Sequence, residues 1–438
     1  MTNNKNKLAY KGYLKTLVLN MLGESTTPLI KILQLALLGR YTTVFSMIAL
    51  GLAFTLFNTM DWILGILKVS VTEESIKASR QNNEKAQSTV LLQHILLVWI
   101  VGIFLILFKE QIWQSIEWIY RVETPIMRQT KLFYDYTIWG VFMYLTNNMI
   151  IGWLSGVGDI KYATLLEAGR NGTTIIVSAI LVVRGQGIAG IANAFIYGQI
   201  VCLIAGVGIL LIKKRFIFKY ITKQSTWDLK RIALDIYKKM DNIYNAIFVV
   251  LVMNIFMSIS CQFGNIILAA NLILMQVKDI MGHLFEAIFK TVRSYKFQAR
   301  RQGDTENYQE LYRLTLINVM YVTIGSVMFY SLARYYVADW IIPFDLVKDA
   351  FLRYDGWLLI YPILGGWGLS AYGLYADSVK KKIAIWTCSI GLVVFGVMYL
   401  ICVPILGNHG MWLSYILFYF VHSVGLLVYE GFLYNQEN

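Results

Sequence analysis

Asp279, His283, Glu286, Lys290 and Arg293 follow one another at intervals of four, three, four and three residues. On an α-helix that rhythm brings all five onto one face. Carboxylates and an imidazole one turn apart can hand a proton along, and an ionised carboxylate can hold a small cation. Glu286 is therefore a candidate cation-coupling group, His283 a candidate proton relay and Asp279 a candidate cavity-lining residue. The same spacing lets Glu286 and Lys290 form an i,i+4 pair that neutralises itself. With histidine neutral, the five residues carry no net charge, so the stripe is no naked trap for cations.

This stripe continues an apolar run, "NLILMQV", that begins at Asn271. The 438 residues are 57% hydrophobic and 15% charged, with a mean hydropathy of +0.56. Soluble domains are about 45–50% apolar with roughly a quarter of their residues charged, so a water-facing surface cannot be built from this composition. Apolar runs long enough to cross a bilayer recur throughout. They predict an all-α polytopic membrane protein with twelve transmembrane helices, near 16–39, 42–69, 89–108, 132–153, 163–183, 187–212, 241–262, 264–290, 314–338, 356–376, 382–404 and 410–429. Period-two alternation is absent, which argues against a β-barrel.

The net charge of +13 follows the membrane, not nucleic acid. With a cytoplasmic N-terminus, about two thirds of the Lys and Arg fall in cytoplasmic segments, as the positive-inside rule requires. The 213–239 connection alone holds nine. The expected organisation is a cytoplasmic lead-in over 1–15, a six-helix bundle over 16–212, a basic connector over 213–240, a second six-helix bundle over 241–429 and a tail over 430–438. Both termini are then cytoplasmic in a multi-pass plasma (inner) membrane protein, expected to be a monomer among membrane lipids. Cys202, Cys261, Cys388 and Cys402 lack the spacing of a disulfide framework or zinc site. His94, His283, His409 and His422 show no metal-ligand pattern, and neither a phosphate loop nor a nucleophile elbow occurs. An enzyme is not indicated, and no cofactor beyond a coupling H⁺ or Na⁺.

The second half of the chain echoes the first. "ASRQNNEKAQ" from Ala78 is answered by "ARRQGDTENYQ" from Ala299, and "WLSGVGD" by "GLSAYG" at 368–373. "GIAGIANAFIYGQ" at 187–199 is answered by "GNHGMWLSYILFY", which aligns Gly190 with Gly410. The order is kept, so a duplicated six-helix unit is expected, its copies pseudo-symmetric about the membrane normal around a central cleft. Shifted back by the repeat, the stripe falls on the second span, where Asn58, Asp61, Gly65 and Lys68 follow three-four-three spacing. Charge facing lipid costs several kcal/mol, of order 2.5–3.5 on insertion scales, so both polar faces should turn inward. Asp61 becomes either the coupling candidate of the first half or the partner of Lys31 or Lys68 in a buried pair that fixes packing, with Asn58 its cavity-lining neighbour. Thr27, Lys31 and Gln34 share a face of the first span and form a further candidate cavity wall. Asn147 in the fourth span is placed either to line the cavity or to tie helices. Glu167, Arg170 and Asn171 are spaced for a local salt bridge, and 109–131, with Trp113, Trp118 and Tyr120, for an interfacial segment.

These residues resemble the multidrug and toxic compound extrusion (MATE) transporters, most closely their DinF-type branch. "GNIILAANLILMQ" at 264–276 is similar to the start of that branch's eighth span, "LKVSVT" at 67–72 to its Leu-Arg-Met-Gly-Thr-Thr segment, and "GWLSGVGDIK" at 152–161 to the glycine-rich turn after the fourth span. Pro362, Trp367 and Gly373 fall in register with its tenth span. Of three family carboxylate positions associated with cation coupling, the resemblance leaves Glu286 acidic, whereas Gln34 and Tyr372 stand at the other two. Tyr372 is carried over as a cavity residue. The resemblance implies a secondary active transporter that exports amphipathic organic compounds by alternating access, coupled to H⁺ or Na⁺. The runner-up is a flippase for a lipid-linked or anionic substrate, with Lys31 holding an acidic or phosphate group. A membrane-embedded lipid-modifying enzyme is the minor alternative, for which no reactive cluster is present.

Overall fold

The computed structural model describes residues 2–220, 240–299, 305–367 and 378–437, and among them the chain is all-α. In chain order the helices are α1 (Thr2–Tyr41), α2 (Val44–Arg80), α3 (Glu84–Leu107), α4 (Lys109–Ile119), α5 (Thr124–Ile138), α6 (Val141–Gly156), α7 (Ile160–Leu181), α8 (Gly187–Lys213), α9 (Met240–Ser260), α10 (Asn265–Ala299), α11 (Thr305–Ile341), α12 (Asp345–Tyr354), α13 (Gly356–Leu364), α14 (Ser378–Leu406) and α15 (Asn408–Glu437). Side chains such as Trp386, Ile390, Val393, Val397, Leu400, Ile401 and Ile405 form an exposed apolar ridge along α14. In water such a ridge would be an aggregation surface, and in a bilayer it is the lipid-facing side.

Seven stretches among the described residues are long and apolar enough to cross a membrane, and one of them, Ile160–Lys213, runs for 54 residues through both α7 and α8. They account for the expected spans at 42–69, 89–108, 163–183, 187–212, 264–290, 314–338, 382–404 and 410–429. The span expected over 132–153 is divided at Trp139–Gly140, between α5 and α6. Those over 241–262 and 356–376 contain the shorter apolar helix Ile247–Phe263 and the described helix α13. The first expected span lies inside the 40-residue α1, whose polar residues lower its hydropathy.

The chain forms two compact units, Leu33–Val250 and a second made of Met1–Ile32 with Leu251–Asn438. In the first, α2, α3, α6, α7 and α8 bury Val71, Leu91, Val98, Leu145, Ile150, Trp153, Leu154 and Leu166 together. Two glycines make the approach of α6 to α2 close. A Cβ at Gly152 would lie 2.9 Å from the Lys68 carbonyl, and one at Gly156 would lie 2.5 Å from the Thr72 carbonyl. Thr72 Oγ1 donates to the Gly152 carbonyl at 3.0 Å across the same contact. On α4, Trp113 is buried and Trp118 exposed. Lys131 pairs with Glu110 there at 3.2 Å, and its hydrogen bond holds the Glu110 carboxyl below its ordinary value.

In the second unit, Tyr13 and Leu17 of α1 are buried in one cluster with Phe285, Ile288, Val292, Leu311, Val319, Ala384 and Leu426. The expected first bundle, 16–212, includes residues that here complete the core of the other unit, because the apolar side chains of early α1 are buried against α10. A buried amide network ties α9, α10 and α15. Asn271 Nδ2 donates to Ser260 Oγ (2.9 Å) and to Asn408 Oδ1 (2.8 Å), and its Oδ1 accepts from Asn408 Nδ2 (3.0 Å) and Trp412 Nε1 (2.9 Å).

Both units contain a helical hairpin closed in the same way. α7 returns into α8 through Val182–Gln186 and Gly187, whose φ is +52°, and α14 returns into α15 through Gly407, with φ +56°. Three residues on, a Cβ at Gly190 would meet Leu181 Cβ at 2.9 Å, and one at Gly410 the Cys402 carbonyl at 2.3 Å. The aligned glycines of the sequence repeat thus occupy equivalent places. Each hairpin has a left-handed glycine at its turn and a closely packed glycine three residues on.

Candidate functional site

On α10, Glu286 and Lys290 meet as their i,i+4 spacing requires, and Glu24 from α1 joins them. Lys290 Nζ lies 2.9 Å from Glu286 Oε1 and 2.7 Å from Glu24 Oε1. One ammonium is therefore shared by two carboxylates, all three half-buried. His283 Nδ1 lies 2.7 Å from the Asp279 carbonyl, which can only accept, so Nδ1 carries a hydrogen. One ligand atom each from Glu24, His283 and Glu286 lie within 4.8 Å of one another. Asn20 Nδ2, one turn before Glu24, donates to Thr291 Oγ1 at 2.8 Å and fixes α1 beside α10.

Spacing along α10 does not select Glu24, although it stands three residues before Thr27 and seven before Lys31. It extends the polar face of α1 by one turn, which is the available signal. Thr27 and Lys31 are half-buried further along that helix.

Asp279 and Lys278 lie at the other end of the stripe. Lys278 is 6% exposed, with its Nζ 2.9 Å from Asp279 Oδ1 and donating to the Tyr415 hydroxyl at 3.0 Å. It lies 5.4–5.7 Å from the ring centres of Tyr361, Tyr415 and Tyr419. A carboxylate and three π faces compensate the buried ammonium. This charge is enclosed by the protein rather than offered to a ligand.

In the Leu33–Val250 unit, Gln34 is buried and its Nε2 donates to Ser178 Oγ on α7 at 2.8 Å. Asn147 Nδ2 donates to both the backbone carbonyl and Oε1 of Gln199 at 2.9 Å, tying α6 to α8. Asn58 and Asp61 are half-buried on α2. Lys68, one candidate partner of Asp61, reaches α7 and lies 2.5 Å from Glu167 Oε1. Glu167 is thereby engaged away from Arg170, its expected local partner. Arg170 is buried, and its Nη1 donates instead to Asn148 Oδ1 at 3.2 Å. Tyr372 lies outside the described residues.

No protein-family model matches the chain. It is similar to DNA damage-inducible protein F of Escherichia coli (strain K12), 21% identical over 413 residues that cover 92% of this chain and 87% of the relative. Among solved structures, it is similar to a multidrug resistance MATE family transporter of the MOP superfamily in an inward-facing conformation. The TM-score is 0.75 at 16% identity, covering 96% of this chain and 97% of the other. It is also similar to a MOP superfamily transporter from Pyrococcus furiosus Vc1, described as having a binding pocket of reverse polarity that suggests a different function. There the TM-score is 0.73 at 16% identity, covering 98% and 96%. The chain has the fold of the MATE transporters of the MOP superfamily.

Proposed function

We propose that the chain is a secondary active transporter that exports amphipathic organic compounds by alternating access, driven by an ion gradient admitted at Glu286. The reading takes all twelve expected spans, six in each half, with both termini in the cytoplasm and the chain in the plasma (inner) membrane. The observation that carries it is the Glu24–Lys290–Glu286 cluster beside the imidazole of His283. An ionisable cluster inside a membrane bundle is costly to keep without a function. A proton suits the geometry better than Na⁺, because Lys290 already places a positive charge between the carboxylates and repels a second one. Proton uptake at His283 or a carboxylate would release Lys290 from one of its partners and loosen α1 from α10. Asp61, with Asn58, supplies a second ionisable position on α2.

The test is transport by the full chain in proteoliposomes under an imposed pH or Na⁺ gradient. Glu286→Gln should lower gradient-driven flux about a hundredfold or more, the usual lower end for losing a positioned proton-transfer group. Undiminished driven flux in that variant would sink the coupling proposal.

A second reading, an anionic or lipid-linked substrate, is favoured by one specific observation: the buried Arg170 faces a neutral amide. The similarity to the Pyrococcus transporter of reverse pocket polarity supports it.

A further inference from the structure

We infer that Arg170 is the receptor for the anionic group of the transported amphiphile, a phosphate or carboxylate borne on an apolar body. This deepens the transport reading and rests on it. Arg170 is the eleventh residue of the 22-residue α7, about 15 Å along a helix that rises 1.5 Å per residue. It is 8% exposed. A guanidinium in that position is always charged and carries five N–H donors. Among the described residues its hydrogen-bond partner is Asn148 Oδ1, a neutral acceptor that uses one of them.

The carboxylate that sequence spacing would give it, Glu167, is held by Lys68. Lys68 and Glu167 cancel each other, and among the described residues no carboxylate pairs with Arg170. None of its remaining nitrogens is both sealed away and without a partner. The backbone beneath is firmly placed. Thr174 Oγ1 donates to the Arg170 carbonyl at 2.9 Å, and Gly198 of α8 comes so near that a Cβ there would lie 2.9 Å from the same oxygen. A buried cation without a counter-ion is costly unless an anion completes it. The fork of N–H donors matches two oxygens of a phosphate or carboxylate. An organic cation would be repelled at this point.

The experiment uses the full chain in phosphatidylcholine nanodiscs without any gradient, with dodecyl phosphate as probe and dodecyltrimethylammonium as its cationic counterpart. Wild type should bind dodecyl phosphate saturably. Arg170→Gln should weaken that binding about tenfold or more, the value of a charged hydrogen bond, and leave the ammonium probe unaffected. Asn148→Asp is the second variant: it keeps Arg170 but places a carboxylate where the amide now stands, and should weaken dodecyl phosphate to a similar degree. Gel filtration reports whether each variant is folded, and Asn148→Asp carries the test if Arg170→Gln is not. Replacing part of the phosphatidylcholine by phosphatidylglycerol separates the sources. Competition assigns the site to a bilayer lipid headgroup and its absence to a free amphiphile, and both outcomes uphold an anion site. Wild-type affinity for dodecyl phosphate in a folded Arg170→Gln or Asn148→Asp protein would overturn the proposal. Because no gradient is applied, that failure would leave coupling at Glu286 standing, and a failed Glu286 transport test would leave a positive binding result intact.

Discussion

At the scale of single residues, Lys290 decides what the cluster on α10 can bind. It lies between Glu24 and Glu286 at 2.7 and 2.9 Å and occupies the place a metal ion would need. Removing its charge should convert the site. Lys290→Gln leaves two carboxylates and a ring nitrogen of His283 within reach of one another, a donor set that suits zinc. The variant should be stabilised by Zn²⁺ where wild type is not. At a hundredfold excess over Kd the gain is about 2.7 kcal/mol, readable as a rise in Tm; identical zinc response of the two proteins would contradict this arrangement. The Glu286–Lys290 pair is legible from i,i+4 spacing. The bond to Glu24 is not, because spacing reports neighbours on one helix and says nothing about which distant helix lies alongside. For the same reason spacing assigns Lys68 no partner on α7 and gives Arg170 the wrong one.

At the scale of elements, helix contacts here are set by missing side chains. Gly156→Ala would place a methyl 2.5 Å from the Thr72 carbonyl and 2.6 Å from Ser75 Cβ, and Gly410→Ala one 2.3 Å from the Cys402 carbonyl. Backbone atoms cannot step aside as a flexible side chain can, so each substitution should cost about 1–3 kcal/mol. Gly208, where an added methyl would meet nothing within 4 Å, is the control: alanine there should be neutral or stabilising by up to about 1 kcal/mol. Detergent-solubilised Tm values of the three variants check this, and equal values for all three would contradict it. The repeat that aligns Gly190 with Gly410 is readable because turn and contact glycines are fixed by backbone geometry. The divided helix at Trp139–Gly140 is not, since hydropathy is continuous across it and cannot register a local change in backbone direction.

At the scale of the molecule, composition alone requires a helical membrane protein, because too few charged residues exist to clothe a soluble surface. Which segments join into one unit is a matter of packing, and hydropathy carries no record of it. Residues 1–32 belong with 251–438, since Tyr13 and Leu17 fill a core shared with Phe285, Ile288 and Val292. A fragment covering 241–438 should therefore be poorly folded when expressed alone, and co-expression of 1–40 should recover it. Equal yield of monodisperse fragment with and without the added segment would refute this. The division also has a meaning for biosynthesis. The ribosome releases Tyr13 and Glu24 first, yet their partners on α10 emerge more than two hundred residues later. The start of α1 must therefore wait at the membrane while the intervening helices are inserted, making completion of this unit one of the last events of folding.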